Sequence, residues 1–195
     1  MTLFFAIGLG WRTWLQHRRY GRSGVILFRK RGLWASSRDA MLLILPALLW
    51  TLTVVQALAS GRPVLGRLEG LETGPAAVLG ALLMAAGVLL MTAAQLQMGR
   101  SWRIGIEEDA RPGLVTWGLY RYCRNPIFAA MLITLGGLAL LMPSLLTLLI
   151  LVITYAGIRR QVADEESYLR RSYQDAYLAY AARVGRFTPW LGRLG

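Results

Sequence analysis

Ala40 to Ala59 runs for twenty residues without a charge. At 1.5 Å per residue a helix of that length crosses the roughly 30 Å hydrocarbon layer of a bilayer. The feature repeats along the chain. Met1 to Leu15 is apolar apart from Thr2, Arg12 and Thr13 and reads as a short first crossing. Pro75 opens a third apolar run that ends near Leu96, with Ala76, Gly80, Ala81, Ala85 and Gly87 small enough for close helix contact. Pro126 to Met142 and Ser144 to about Gly157 follow, with Pro143 between them as the turn of a helical hairpin. Pro46 is a candidate kink in the second run, and Gly136-Gly137 thins the fourth. The expected fold is an all-α integral membrane protein with about five transmembrane helices. A C-terminal helical hairpin is followed by a cytoplasmic amphipathic helix.

Charge fixes the expected orientation. Only 16% of residues are charged, against about a quarter in soluble domains. The net charge of +12 comes almost wholly from arginine, since Lys30 is the only lysine. These arginines lie in short loops between apolar runs, where they act as topology signals and anchors for anionic membrane lipids. Nucleic acid is therefore not the expected partner. Basic residues number seven in Arg18–Arg38, two in Ser60–Thr73, five in Gln97–Arg124 and seven after Gly157. The turn at Pro143 has none. Positive-inside counting puts the first and third loops and the C-terminus in the cytoplasm, with the N-terminus outside. Cys123 and His17 are the only residues of their kinds. That excludes an intrachain disulfide and a cysteine-rich zinc site, and removes most histidine-based catalysis.

Two polar stretches remain for chemistry. Gly113 to Phe128 is an aromatic loop punctuated by glycine and carrying Arg121 and Arg124. Proline lacks an N–H and suits the first turn of a helix, so Pro126 reads as the start of the next one. Backbone N–H groups, arginines and aromatic faces at that helix mouth suit a ligand with an aromatic ring and an anionic group. The plainer reading is a basic loop that fixes topology. After Gly157, Val162, Glu165/Glu166, Leu169, Tyr173, Tyr177, Tyr180 and Val184 recur on one helical face. The tyrosines there read as packing residues. A carboxylate on that inward face needs a cation, either an arginine such as Arg159, Arg160 or one of the basic loop Gln97–Arg124, or a bound ligand. Glu107-Glu108-Asp109 reads as a solvated turn.

These residues form a recognisable pattern. Leu114-Val115, Gly118, Tyr120, Arg124-Asn125-Pro126 and Phe128 are followed by Glu165, Glu166, Leu169, Tyr173, Tyr177 and Tyr180. Val184, Arg186, Phe187 and Pro189 close it. The pattern resembles the isoprenylcysteine carboxyl methyltransferase family, a branch of the membrane methyltransferases that also includes phospholipid N-methyltransferases. It covers about Met98 to Pro189. The chain then reads as one domain over 1–195, with an N-terminal three-helix part (1–97) and a motif-bearing part (98–189).

The resemblance implies S-adenosylmethionine as methyl donor and a lipophilic acceptor that enters from the bilayer between helices. It implies that the backbone at Gly113, Leu114 and Val115 faces the adenine. It likewise implies that Tyr120 and the turn Asn125, Pro126, Ile127 and Phe128 enclose the nucleoside and methionine parts, and that Glu165 takes the donor's amino group. Three positions depart from the family. Asn125 and Phe128 stand where histidine and tyrosine are common. The arginine expected four residues before the first glutamate, where it orients the acceptor's carboxylate, is Gln161, with Arg160 one residue earlier. A helix turns about 100° per residue, so Arg160 points elsewhere unless its long side chain reaches round. Two other classes share the general character: a membrane reductase of sterol-reductase type using a nicotinamide cofactor, and a non-enzymatic membrane scaffold.

Overall fold

The computed structural model describes residues 2–21, 24–25, 68–104 and 113–193, with positions 44, 47–48, 51, 53–55, 58 and 66 between them. The expected crossing at 40–59 and the acidic turn at 107–109 therefore lie mostly or wholly outside the described residues. Those described within 44–58 are helical. Among the described residues there is no strand, only the single-residue bridges Val25–Ile104 and Cys123–Gly185.

The helices start and stop where local chemistry directs. Helix α1 (Thr2–Phe5) passes through a π stretch, Ala6–Trp11, into α2 (Arg12–Tyr20). Gly21 ends it at φ 67°, where its N–H reaches the His17 carbonyl at 2.9 Å. Helix α3 (Gly74–Met98) has Thr73 as N-cap, with Pro75 in its first turn as expected. Helix α4 (Pro126–Leu141) begins on the proline that the sequence nominated. Met142, Pro143 and Ser144 connect it to α5 (Leu145–Arg183). Ser144 Oγ accepts from the Thr147 N–H while the Thr147 hydroxyl accepts from the Ser144 N–H, a reciprocal cap that fixes the start of α5.

Only 17% of the apolar part of α3 and 22% of that of α5 is buried. Leu82, Leu89, Leu149 and Val152 all point outward. A core helix of a soluble protein would hide such residues; these two are long and apolar enough to cross a membrane, and α4 is a shorter apolar helix. What holds α3 to α4 is backbone proximity. A Cβ on Gly80 would lie 2.6 Å from the Gly137 carbonyl oxygen, and one on Gly137 equally close to that of Gly80. A Cβ on Gly87 would overlap Thr134 Oγ1. Leu135, Leu138 and Ile150 then form a core shared by α4 and α5, against which Phe5 and Met84 pack.

The first apolar run lies beside the later half of α3. Phe4 packs on Met91 and Ala130, and Gln95 Nε2 donates to the Gly8 carbonyl at 3.0 Å. Arg12, 1% exposed, donates through Nη2 to the carbonyls of Gln95 (3.2 Å) and Gly99 (2.7 Å), and its guanidinium stacks over Trp102. A guanidinium at the C-terminal end of α3 meets unpaired carbonyls and the negative end of the helix dipole. That is why an arginine is tolerated within an apolar run. Beyond the level of Val88, α3 continues for about four turns, so the described part of the first run does not accompany α3 along its whole length.

The change of character after Gly157 does not interrupt α5, because Ile158, Gln161, Val162 and Glu166 stay buried along one face. The interruption comes later, at exposed Gln174, which has φ 42° and ψ −120°. That conformation is costly for any residue with a Cβ. Gln174→Gly should therefore stabilise the protein by about 1 kcal/mol, read as a higher thermal midpoint in detergent. An unchanged or lower midpoint would show that the bend is not strained.

Candidate functional site

The bend at Gln174 directs the last turns of α5 and the tail beyond them to the start of α4. There the chain segments are tied by main-chain bonds: the N–H of Arg124 donates to Gly185 O at 2.9 Å and that of Asn125 to Arg186 O at 3.2 Å. At the centre is Glu166, 4% exposed and, among the described residues, the one buried acid. Its Oε1 accepts from Arg124 Nε (3.1 Å) and Nη2 (3.0 Å) and from Asn125 Nδ2 (3.3 Å). Its Oε2 accepts from Arg186 Nε (3.1 Å) and Nη2 (2.7 Å). Arg124 also donates to the carbonyls of Ala181, Val184 and Gly192. A buried ion pair holds only when its remaining hydrogen-bonding capacity is met, and here it is.

This clamp corrects one expectation and narrows another. Arg124 and the N–H groups of Arg124 and Asn125 are committed within the protein, so they do not offer an anion site at the helix mouth. Arg121, the other arginine of that loop, is exposed and donates to the Tyr122 hydroxyl at 3.1 Å. Of the candidate cations for Glu166, the structure selects Arg124 of the basic loop and adds Arg186, while Arg159 and Arg160 are exposed. The role of Arg186 follows from no local periodicity, because it lies beyond the end of α5. Asn125 makes no cap bond to α4; its amide donates to Glu166 and to Arg186 O (3.1 Å) instead.

The neighbouring carboxylate is placed differently. Glu165 is half-buried, and Gln161, one turn earlier and 4% exposed, donates to its Oε1 through Nε2 at 2.7 Å. Glu165 also lies close enough to Tyr120 to add to the upward shift of that phenol's pKa, whose main cause is burial. Tyr120 is 6% exposed, donates to Ala94 O at 3.4 Å, and offers its own carbonyl to the Tyr180 hydroxyl at 2.6 Å. The structure thus pairs Gln161 with Glu165 and sets Tyr120 within electrostatic reach of that carboxylate, while Arg160 is exposed.

The glycine-punctuated loop approaches from the side. Gly113, at φ 102° with open space around it, donates its N–H to the Tyr173 hydroxyl at 3.0 Å. Leu114 packs on the cluster of Tyr177, Tyr180, Ala181 and Val184, and Val115 is half-buried. Leu119 N–H is held by Gln97 Oε1 at 2.7 Å. Burial pushes Tyr177 up to about 12 and Cys123 up to about 11, so both are neutral at physiological pH. The Cys123 thiol contacts Arg186 O at 3.5 Å and is a packed group rather than a nucleophile. Pro126 is buried; Ile127 faces Phe4 and Met91, and Phe128 is half-buried.

Comparison with known proteins agrees with this picture. The chain is 28% identical over 115 residues to protein-S-isoprenylcysteine O-methyltransferase A of Arabidopsis thaliana. That match covers 57% of this chain and 58% of the relative, so the chain spans less than two thirds of the relative's length. The phospholipid methyltransferase family model matches residues 75–176. The matched region takes in α3, the loop with Tyr120 and Asn125, α4, and α5 as far as its bend, which is just over half of the chain. With its apolar helices turned outward and this region intact, the chain belongs to the phospholipid methyltransferase family of membrane proteins.

Proposed function

We propose that this protein transfers a methyl group from S-adenosylmethionine to a lipophilic acceptor, as a five-crossing protein whose C-terminal helical hairpin leads into a cytoplasmic extension. The observation that carries the reading is the division between two adjacent carboxylates. Glu166 is enclosed by two arginines, whereas Glu165 sits half-buried beside Gln161 and within electrostatic reach of Tyr120. The first ties the chain segments of the site together; the second lies one turn from Gln161, where a ligand's ammonium group would meet it.

The residues present suit such a donor. Glu165 would accept from its ammonium group, and the backbone of Gly113, Leu114 and Val115 would lie along its base. Tyr120 and the turn from Asn125 to Phe128 would wall the rest. When bound, the donor supplies an electrophilic methyl on a sulfonium sulfur. The protein's part is placement and exclusion of water, which require neither histidine nor a reactive thiol. The buried Gln161 Oε1, which accepts no hydrogen bond, leaves polar capacity on this face for a ligand. Family membership does not favour a nicotinamide-dependent reductase.

Titration of S-adenosylhomocysteine into the detergent-solubilised protein tests the reading. A charge-assisted hydrogen bond contributes about 1.5–3 kcal/mol net, so Glu165→Gln should weaken binding roughly ten- to a hundredfold. Asp164→Asn, an exposed change beside it, should leave affinity within about twofold, the usual range for such surface sites. Wild-type affinity in a folded Glu165→Gln protein would remove Glu165 from the site.

A further inference from the structure

Gln161 carries more information than its bond to Glu165. An ionised carboxylate only accepts hydrogen bonds, so the amide must turn its NH2 group toward Glu165. Its Oε1 is thereby directed away from that carboxylate. That oxygen is buried and has no hydrogen-bond donor, on a residue only 4% exposed. Reversing the amide would set two acceptor oxygens against each other at 2.7 Å, so the orientation is fixed by Glu165. Along α5, Gln161 stands one turn from Glu165 on the side of the apolar stretch Leu145–Gly157. It lies between the polar end of the site and the part of the helix that faces lipid.

Resting on the methyl-transfer reading above, we propose that Gln161 Oε1 selects the acceptor: an apolar body ending in a neutral hydroxyl or amino group, not a carboxylate. An O–H or N–H would supply the missing donor, whereas a carboxylate would bring a further acceptor against the buried oxygen. In the transfer step, the acceptor's oxygen or nitrogen lone pair forms the bond to the methyl carbon as the carbon–sulfur bond breaks. The breaking bond's electron pair returns to sulfur, which becomes a neutral thioether. The positive charge passes to the acceptor atom, which then releases its proton to water. Gln161 positions the donor hydrogen and does not act as the base.

The test uses tail-matched probes, para-octylphenol, para-octylaniline and para-octylbenzoate, titrated into the S-adenosylhomocysteine-loaded protein in detergent. Methyl transfer from labelled S-adenosylmethionine to each is measured in parallel. The phenol and the aniline should bind at least about tenfold more tightly than the benzoate. Gln161→Leu should reduce that preference to within about threefold, and Gln161→Arg should turn it toward the benzoate. A residue that merely supported Glu165 would alter S-adenosylhomocysteine affinity without changing the order of head groups. Equal or tighter binding of the benzoate by the wild type, or a preference that survives Gln161→Leu, would overturn the assignment of Gln161 alone. A wild-type protein that fails to bind S-adenosylhomocysteine would overturn the methyl-donor reading and this inference with it.

Discussion

Glu166→Ala should be the most damaging single change in the motif-bearing part, with an expected loss of about 3–5 kcal/mol. Removing the carboxylate leaves Arg124, 6% exposed, without its counter-charge in a position that water does not reach. It also detaches Arg186 and so loosens the tail from the start of α4. Thermal unfolding in detergent and trypsin cleavage within 113–193 read the effect. Glu166→Gln keeps an oxygen that can accept from one arginine and should fall between wild type and Glu166→Ala. Replacing both charges, Arg124→Met with Glu166→Leu, should recover part of the loss, since a buried pair costs most when only one member is removed. A thermal midpoint for Glu166→Ala within a degree or two of wild type would mean that the clamp contributes little.

Gly137→Ala should disrupt the membrane core while Gly136→Ala, its neighbour, does not. An added methyl at Gly137 would meet the Gly80 carbonyl oxygen at 2.6 Å and the Met84 nitrogen at 2.8 Å, both backbone atoms that cannot swing aside. At Gly136 it would meet nothing within 4 Å. Overpacking of this kind costs about 1–3 kcal/mol, and more is expected at Gly87, where a Cβ would overlap Thr134 Oγ1 and lie 2.8 Å from Ala130 O. Gly87→Val should therefore prevent α3 and α4 from closing. Matching midpoints for the Gly136 and Gly137 variants would refute backbone-to-backbone contact as the link between these helices.

Helix starts were legible because they depend on neighbours in sequence. Pro126 and Pro75 each act within one turn. The apolar runs were legible for the same reason, and the 165/166 pair could be placed on the inward face from periodicity alone. The partners of that pair could not. Arg124 and Arg186 stand 42 and 20 residues from Glu166, and although both belong to the pattern quoted above, nothing in that pattern joins them to Glu166. The bend at Gln174 was hidden too, since a glutamine gives no hint of positive φ. Arg12 was visible only as a blemish in an apolar run; its meaning depends on the carbonyls of Gln95 and Gly99, more than eighty residues away.

The ties of Arg124 also constrain when the protein can be finished. Its partners enter the growing chain at Glu166, Ala181, Val184 and, last, Gly192, which stands 68 residues downstream. Through most of the translation of α5, the guanidinium must remain solvated beside α4. Only when the ribosome has passed Gly192 can the full set of bonds form. The motif-bearing part therefore acquires its full set of ties only after Gly192 has been made, and a nascent protein stalled before that point would hold its apolar helices without the finished clamp.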